Sequence, residues 1–337
     1  KKALLFAIIL YCGINTYCQN YVNQLYLQTR IDNVTSLYDC DSINNDSRFV
    51  GQYLNLILKG NINERLSYTF RQRLNKSNYD NNNIFKNTDF LYLDYSFNDK
   101  FSLSFGKQMV DIGGFEYDYA PIDVYFYSNF WKNISCYAFG ISTKYNINKD
   151  NSLIFQICNS PFSKQDINNM YAYNLLWYGS FPHWKTIYST NMIEYKRGHY
   201  INYIALGNRI SVGHWDLDLD LMNRASTKQK QFFFKDYSII GKLQYNINNK
   251  FSCYVKAGQD KNNAQENANL TAANYYDLCV IPNTDYQFDG LGCEYFPLKD
   301  SKDLRLHLFM YSNNDDNKGY YVNCGLTWNM KVINKNN

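Results

Sequence analysis

The residues best placed to act on a solute lie between Asp111 and Trp131, in a segment that reads DIGGFEYDYAPIDVYFYSNFW. It holds eight aromatic rings, and it interrupts the alternating sequence on either side of it. Carboxylates attract cations, whereas aromatic rings pack against apolar surfaces. Gly113-Gly114 permits a tight bend, and Pro121 stiffens the backbone. The acidic residues of the segment are Asp111, Glu116, Asp118 and Asp123.

A group of basic residues precedes this segment, in the stretch RLSYTFRQRL that begins at Arg65. In an extended strand, successive side chains point to opposite faces. One face of the stretch then carries Leu66, Tyr68 and Phe70. The other face carries Arg65, Arg71 and Arg73, which makes these arginines candidates for a basic wall opposite the acidic segment.

Period-two alternation dominates the chain from Tyr21 onward, and it predicts strands with two unlike faces. No helical periodicity persists beyond a turn or two. Sixteen strands are predicted, near residues 21–31, 48–60, 65–74, 88–97, 101–109, 135–147, 152–159, 171–181, 185–196, 199–211, 215–224, 232–247, 251–259, 286–297, 303–311 and 319–332.

The connections between these strands alternate in length. Each even-numbered connection is a tight polar turn, such as NIN after the second strand and NNK after the twelfth. Most odd-numbered connections are longer, including 110–134 and 260–285. Short turns alternating with long loops around an even number of strands are typical of outer-membrane barrels. We therefore predict an all-β fold, a transmembrane antiparallel barrel of about 16 strands with short periplasmic turns and longer extracellular loops.

The two faces of the strands agree with a water-filled barrel. In WDLDLDLMNR, Leu217 and Leu219 alternate with three aspartates that could not be buried cheaply in a dry core. Sixteen strands leave an aqueous channel, whereas about eight would fill it with side chains. Alternation predicts a lumen wall that includes Arg30, Lys59, Asp94, Lys144, Arg209, Asp216, Asp218, Asp220, Asp236, Lys242, Lys256 and Arg305.

The acidic segment is the third loop on the long side of this barrel. We expect it to fold inward, so that its four acids form one wall of a pore constriction and Arg65, Arg71 and Arg73 form the other. Its aromatic residues would then pack against the inner wall. The alternative is an ordinary extracellular loop whose aromatic residues pack on one another. A further alternative is a solvated lumen that does not select between solutes.

The N-terminus resembles a secretory signal peptide, with Lys1 and Lys2 before an apolar run from Ala3 to Tyr11. The run is too short for a transmembrane helix, which needs about 20 residues. We predict a signal peptide at residues 1–18 and a single barrel domain at 19–337. Without the two lysines, 32 basic residues face 30 acidic ones. This balance argues against a nucleic-acid partner.

Histidines and cysteines offer few catalytic candidates. No Ser/His or Asp/His constellation and no metal-ligand spacing is recognisable, so we predict neither an enzyme nor a metal or cofactor site. Cys253, Cys293 and Cys324 alternate onto the lipid face, where they would act as small hydrophobic residues. Cys136 and Cys158 lie on neighbouring strands and could form a bridge, although the expected register puts them about four residues apart.

Several runs resemble the Bacteroidetes porins grouped in the phosphate-selective porin O and P family. They are LYLDYSFNDKFSLSFGKQMVDIGGFEYDYAPIDVYFYS, NLLWYGS, DLMNRAS and EYFPLKDSKDLRLH. The resemblance implies a 16-stranded outer-membrane porin, a homotrimer, with an inward third loop. In that family phosphate selectivity depends on arginines and lysines at the constriction. Here the loop offers four acids against Lys132, with Lys107 just before it.

We therefore expect an outer-membrane porin that passes small hydrophilic solutes and ions by passive diffusion. Its surroundings would be outer-membrane lipid and lipopolysaccharide. A substrate-selective channel is the nearest alternative: phosphate would require basic side chains to dominate the narrowest point, and sugars would use the aromatic residues as a stacking surface. A closed-barrel adhesin or assembly component would have a plugged lumen. An outer-membrane enzyme is the most distant option.

Overall fold

The computed structural model describes residues 21–38, 45–75, 84–162, 169–226, 231–263, 279–314 and 319–335. The predicted signal peptide and Cys40 lie outside these residues. Sixteen strands are present, namely β1 (Gln24–Tyr38), β2 (Asp46–Asn61), β3 (Leu66–Arg73), β4 (Thr88–Ser96), β5 (Phe101–Met109), β6 (Tyr137–Asn148), β7 (Asn151–Asn159), β8 (Tyr171–Ser180), β9 (Trp184–Lys196), β10 (His199–Val212), β11 (Trp215–Ser226), β12 (Asp236–Asn248), β13 (Phe251–Asn262), β14 (Thr284–Tyr295), β15 (Leu304–Asn313) and β16 (Gly319–Asn334).

The strands form a closed antiparallel barrel in which every strand pairs with its neighbours in sequence. β1 closes the barrel by pairing with β16 along its whole length, from Gln24 opposite Asn334 to Tyr38 opposite Gly319. Closure removes the unpaired strand edges that would otherwise have to be covered. The predicted 16-stranded barrel is thus confirmed. No helix among the described residues is long and apolar enough to cross a membrane.

Two strand boundaries differ from the prediction by four residues or more. β1 extends to Tyr38 rather than to residue 31, because its pairing with β16 continues from Ile31 to Tyr38. β12 begins at Asp236 rather than at residue 232. Phe234, just before it, has a φ of 57°, a conformation that strands do not adopt. The backbone N–H of Phe234 donates instead to Asn223 Oδ1, at 2.8 Å.

The short turns depend on asparagine side chains. Asn98 accepts hydrogen bonds from the backbone N–H groups of Lys100 and Phe101, at 2.9 and 3.0 Å. Asn63 does the same for Arg65 and Leu66, and the equivalent turns at Asn148 and Asn248 use asparagine in the same way. Such side-chain bonds to the following backbone fix tight turns without glycine. They account for part of the abundance of asparagine in this chain.

The barrel has an apolar outer face. Outward-pointing side chains such as Phe105, Val255 and Leu308 are exposed. A continuous apolar surface of this size requires a nonaqueous neighbour, and strands of 8 to 16 residues are long enough for a tilted membrane crossing. The alternation read from the sequence therefore describes the two faces correctly.

The segment between β5 and β6, residues 110–136, lies inside the barrel and is called the inner loop below. It contains two short helices, α1 (Phe115–Asp118) and α2 (Asn129–Asn133), and a 3-10 turn at Pro121–Asp123. The main apolar core lies between this loop and the strands. There, Val110, Ile112 and Phe130 pack with wall residues such as Ile193 and Tyr203. The apolar core of the barrel therefore forms where the inner loop packs against the strands.

Candidate functional site: the inner loop and the wall it faces

Glycine allows the start of the inner loop to lie directly against β9 and β10. A Cβ atom on Gly113 would lie 2.6 Å from the carbonyl oxygen of Ile187, and one on Gly207 would lie 2.7 Å from Gly114 Cα. Gly114 also has a φ of 106°, which side chains disfavour. The Gly113 N–H then donates to Ser189 Oγ at 2.8 Å. The predicted bend at these glycines is present, and its close approach to the wall explains the requirement for glycine.

Asp220 on β11 holds the first turn of α1. Its two carboxylate oxygens accept hydrogen bonds from the backbone N–H groups of Phe115 and Glu116, at 2.8 and 2.7 Å. A carboxylate at the first turn of a helix satisfies N–H groups that have no partner within the helix. Asp220 was predicted as a lumen-wall residue. It does point inward, but it is buried under the loop and serves as an anchor.

Glu116 and Lys256 connect the two halves of the inner loop to β13. Lys256 Nζ lies 2.6 Å from Glu116 Oε1 and also donates to the carbonyl oxygen of Phe126, at 2.7 Å. Glu116 further accepts hydrogen bonds from the N–H and hydroxyl groups of Ser128. Both charged side chains are buried. The carboxylate of Glu116 thus points to the wall, and its place at a constriction stays a prediction.

The far end of the inner loop is held by β1 and β15. Arg30 donates to the carbonyl oxygens of Ile122 and Val124, both at 3.3 Å, and pairs with Asp32 at 2.7 Å. Arg305 pairs with Asp123 at 2.6 Å. Asp123, predicted in the constriction, thus lies at the β15 wall. Both arginines face inward as predicted, and both contact the loop.

Two more wall carboxylates are engaged by the loop. Tyr119 donates to Asp218 Oδ2 at 2.8 Å, and the same carboxylate pairs with Arg209 at 2.6 Å. Asp260 accepts from the N–H of Asn129 at 2.6 Å. Together with the contacts above, these bonds fasten the inner loop to β9–β11, β13, β15 and β1. We call the wall from β7 through β15 to β1 the covered wall.

The remaining predicted wall residues of this side lie around the loop. Lys242 Nζ lies 5.0 Å from the centre of the Tyr119 ring. Asp236 forms a fully buried pair with Arg224 at 2.7 Å. Asp216 accepts hydrogen bonds from Ser211 and Asn246, at 2.5 and 2.8 Å. Asp216 and Asp236 thus have hydrogen-bonding partners within the protein, whereas Lys242 lines a pocket beside Tyr119 and Asp218.

Opposite the covered wall, a cavity of about 400 Å³ separates the inner loop from β3–β6. On the loop side it is lined by Asp111, Asp118 and Tyr119; on the strand side it is lined by Arg71 and Asp94. A second cavity of about 260 Å³ is lined by Lys59, Arg71 and Lys331, among others. Arg71 and Phe90 line both cavities. We call β2–β6 the open wall, since both cavities lie along it.

The open wall carries two arginines on one carboxylate. Arg71 Nη2 and Arg73 Nε lie 3.0 and 2.8 Å from the same oxygen of Asp89. The Arg71 guanidinium also lies over the Phe90 ring, 4.4 Å from its centre, and donates to the hydroxyl group of Tyr137. Of the three predicted arginines, Arg71 and Arg73 are brought together, with one carboxylate between two positive charges.

Sequence reasoning missed Asp89 because a β-bulge changes its face. The register between β3 and β4 shifts at Arg71/Gln72. An extra residue at such a point reverses the side on which the following residues project. Asp94, predicted by simple alternation, faces the passage and accepts a hydrogen bond from Ser104 at 2.8 Å. Asp89 is only five residues away, but on the other side of the bulge.

Two predicted residues lie away from the inner loop. Arg65 belongs to the turn before β3 and is exposed. It is six residues from Arg71, or about 20 Å along an extended strand. The place of Arg65 at a constriction stays a prediction. Lys144 projects inward on β6, near the short-turn end, opposite Ser102 on β5.

Asp111 and Asp118, on the cavity side of the inner loop, have raised pKa values. Burial raises the pKa of Asp111 to about 7, and the nearby Asp118 carboxylate adds to the shift. Burial also raises the pKa of Asp118, and the hydroxyl of Tyr178 and the charge of Arg209 oppose that shift. Tyr178 donates to Asp118 Oδ1 at 3.0 Å. The charge of the loop face therefore changes near neutral pH.

Cys136 and Cys158, considered for a bridge, are not paired. Gly140, not Cys136, lies opposite Cys158 across β6 and β7. Cys136 precedes β6 and lies four positions from that point, so the register separates the two thiols. The four-residue offset expected from the sequence is what the structure has.

Comparisons with known proteins agree with this architecture. Residues 24–183, just under half of the chain, match the family model "Phosphate-selective porin O and P". No curated protein matches the chain. Among solved structures, OmpF of Salmonella typhi in complex with daunomycin is similar, with a TM-score of 0.63 at 12% identity, over 94% of this chain and 99% of that chain.

Two further structures have the same fold. The anion-selective porin from Comamonas acidovorans has a TM-score of 0.59 at 12% identity, over 90% of this chain and 99% of that one. The trimer form of OmpT of Vibrio cholerae has a TM-score of 0.59 at 13% identity, over 90% of this chain and 98% of that one. Together, the family match and the fold support an outer-membrane channel for small solutes rather than an enzyme.

Proposed function

We propose that this protein is a passive outer-membrane porin whose passage is narrowed between the inner loop and the open wall. One observation carries the proposal: the loop is fastened to the covered wall, and a cavity of about 400 Å³ lies where it faces β3–β6. A loop bound in this way narrows the lumen without closing it. Solutes would then move down their own gradients with no chemical step.

The narrowest point of the proposed passage lies at Arg71. This side chain lines both cavities along the open wall, and it faces Asp111 and Asp118 across the upper one. Opposite charges on two sides of a narrow passage favour small polar solutes and discriminate weakly between cations and anions. Since Asp89 neutralises only one of the two arginines beside it, the basic side keeps about one net charge.

The experiment is a single-channel recording of the purified protein in a planar bilayer, with reversal potentials measured in a KCl gradient. We expect large, weakly selective steps that added phosphate leaves unchanged. Small anion-selective steps that low phosphate concentrations block would contradict a general porin. The absence of steps would instead support a closed barrel with a structural role.

Anion selectivity is the second candidate function, and the pair of arginines on Asp89 favours it. The Comamonas acidovorans protein shows that this fold can be anion-selective. If Asp111 is neutral at the working pH, the basic side of the passage outweighs the acidic one. Reversal potentials in a KCl gradient at neutral pH distinguish the two functions, because a general porin discriminates weakly between the ions whereas an anion-selective channel strongly prefers chloride.

The assembly, surroundings and origin are proposed on the same basis. The OmpT structure is described as a trimer, which supports a homotrimer here; the molar mass of the detergent-solubilised protein tests it. The apolar outer face suits outer-membrane lipid and lipopolysaccharide.

The N-terminal apolar run suits a signal peptide that is cleaved on export, and the mass of the mature chain tests this. The runs quoted above favour a Bacteroidetes origin.

A further inference from the structure

Two cysteines face each other on the outer surface of the barrel. Cys253 is the third residue of β13, and Cys293 is the third from the end of β14. They are direct partners in the register of the two strands. Their sulfur atoms lie 2.6 Å apart. Nonbonded carbon atoms, which are smaller than sulfur, prefer about 3.5–4 Å, so two separate thiols are crowded at this position.

We propose that Cys253 and Cys293 form a disulfide in the mature protein. Residues directly opposite each other on antiparallel strands have Cα atoms about 4.5–5.5 Å apart. Disulfides join Cα atoms that are about 4.4–6.8 Å apart. The bridge therefore requires no movement of the backbone. The sequence pattern had assigned both residues correctly to the lipid face, but only the register shows that they are partners.

The reaction is a two-electron oxidation. One cysteine thiolate attacks the disulfide of a protein thiol oxidant, and the second thiolate displaces that oxidant from the mixed disulfide. The two thiols lose two protons and two electrons, and the oxidant is released with two thiols. This step rests on the proposed function, because a chain exported to the bacterial envelope meets such oxidants. Since lipid would cover both sulfur atoms, the bond forms before membrane insertion.

The bridge would fix the register of the strand that holds the inner loop. Lys256 and Asp260, which bind Glu116 and Asn129, follow Cys253 on β13. A slip of one residue in a strand turns every side chain to the other face. A covalent bond near the base of the β13–β14 hairpin excludes such a slip during assembly.

Other cysteines provide internal controls. Cys324 lies on the outer face opposite Leu308, so it has no thiol partner in the adjacent position of β15. Cys136 and Cys158 lie at a different pair of neighbouring strands, β6 and β7, and they are out of register. We expect all three to remain thiols while Cys253 and Cys293 are oxidised.

The test is peptide mapping of the full chain purified from the cell envelope. Free thiols are trapped with N-ethylmaleimide in denaturant, and the protein is digested without reductant. A linked peptide pair that contains Cys253 and Cys293 is expected, with Cys136, Cys158 and Cys324 alkylated. Recovery of both Cys253 and Cys293 as alkylated peptides would overturn the proposal.

A second measurement separates this proposal from the proposed function. The chain is refolded in detergent with a mixture of reduced and oxidised glutathione, where export plays no part. A linked pair here supports the pairing even if the envelope location is wrong; two thiols or two glutathione adducts overturn it. Reductant should also lower the melting temperature of the wild type but not of the C253S/C293S variant, and C324S should behave as the wild type.

Discussion

The covered wall and the open wall are built from the same alternating strands but use their charges differently. On the covered wall, Asp220, Lys256 and Arg30 satisfy backbone or side-chain groups of the inner loop. On the open wall, Arg71 and Asp94 face a cavity. The comparison shows that a charged side chain does not meet solutes merely because it points into the barrel. What decides its role is whether the loop lies over it.

The largest effect is expected from breaking the Glu116–Lys256 pair. Removal of one partner from a buried pair leaves an uncompensated charge and costs about 3–5 kcal/mol. The K256M variant should therefore release the middle of the inner loop and raise single-channel conductance, with larger current fluctuations. K144M, which removes an exposed lysine far from the loop, is the control. Unchanged conductance in K256M would show that the pair does not hold the loop.

The second-largest effect is expected from adding a methyl group between the inner loop and the covered wall. G207A places a Cβ 2.7 Å from Gly114 Cα, whereas G241A meets nothing nearer than 3.7 Å. Overpacking of this kind costs about 1–3 kcal/mol. We expect G207A to lower the melting temperature and, by moving the loop toward the open wall, to lower conductance. G241A should do neither; equal effects from both variants would contradict the close approach of loop and wall.

Neutralising one arginine on each wall tests whether charges on the open wall alone affect ion selectivity. A unit charge about 4 Å from an ion contributes about 1 kcal/mol in water, which corresponds to a change in permeability ratio of up to about fivefold. R71Q should move the reversal potential toward cation preference. R209Q, on the covered wall, should reduce stability and leave selectivity unchanged. The opposite result would exchange the roles of the two walls.

The smallest effect is a pH dependence. Because the pKa of Asp111 is raised to about 7, this carboxyl is neutral below that pH and negative above it. Cation preference should therefore increase as the pH rises through 7. The D111N variant should lose this increase, as measured by reversal potentials between pH 5 and pH 9. A pH profile identical to that of the wild type would mean that Asp111 does not face the ions.

The fold could be predicted from the sequence because strand alternation and turn length are local. Sixteen strands, their faces and the order of short and long connections all follow from patterns a few residues long. The anchors of the inner loop could not be predicted in the same way. In the sequence, Asp220 and Lys256 cannot be told apart from other inward-pointing charged residues, because the path of the loop is not known. Asp89 could not be assigned to the inner face by alternation, because the register between β3 and β4 shifts beside it.

The acidic residues of the loop show the same limit. The sequence gives four carboxylates but not the side to which each one turns. Asp111 and Asp118 line the passage, whereas Glu116 and Asp123 pair with wall cations. The helical turn of α1 separates Glu116 from Asp118. The assignment of Asp111, Asp118, Arg71 and Arg73 to a constriction stays a prediction until currents are measured.

The most direct test of the central claim uses thiol labelling inside the open channel. D118C places a thiol on the passage side of the inner loop, and S128C places one on its buried side, beside Glu116. A charged methanethiosulfonate reagent is added during single-channel recording, with the wild type as control for native cysteines. The account predicts a stepwise fall in conductance for D118C and no change for S128C. A block at S128C, or none at D118C, would contradict a passage along the open wall.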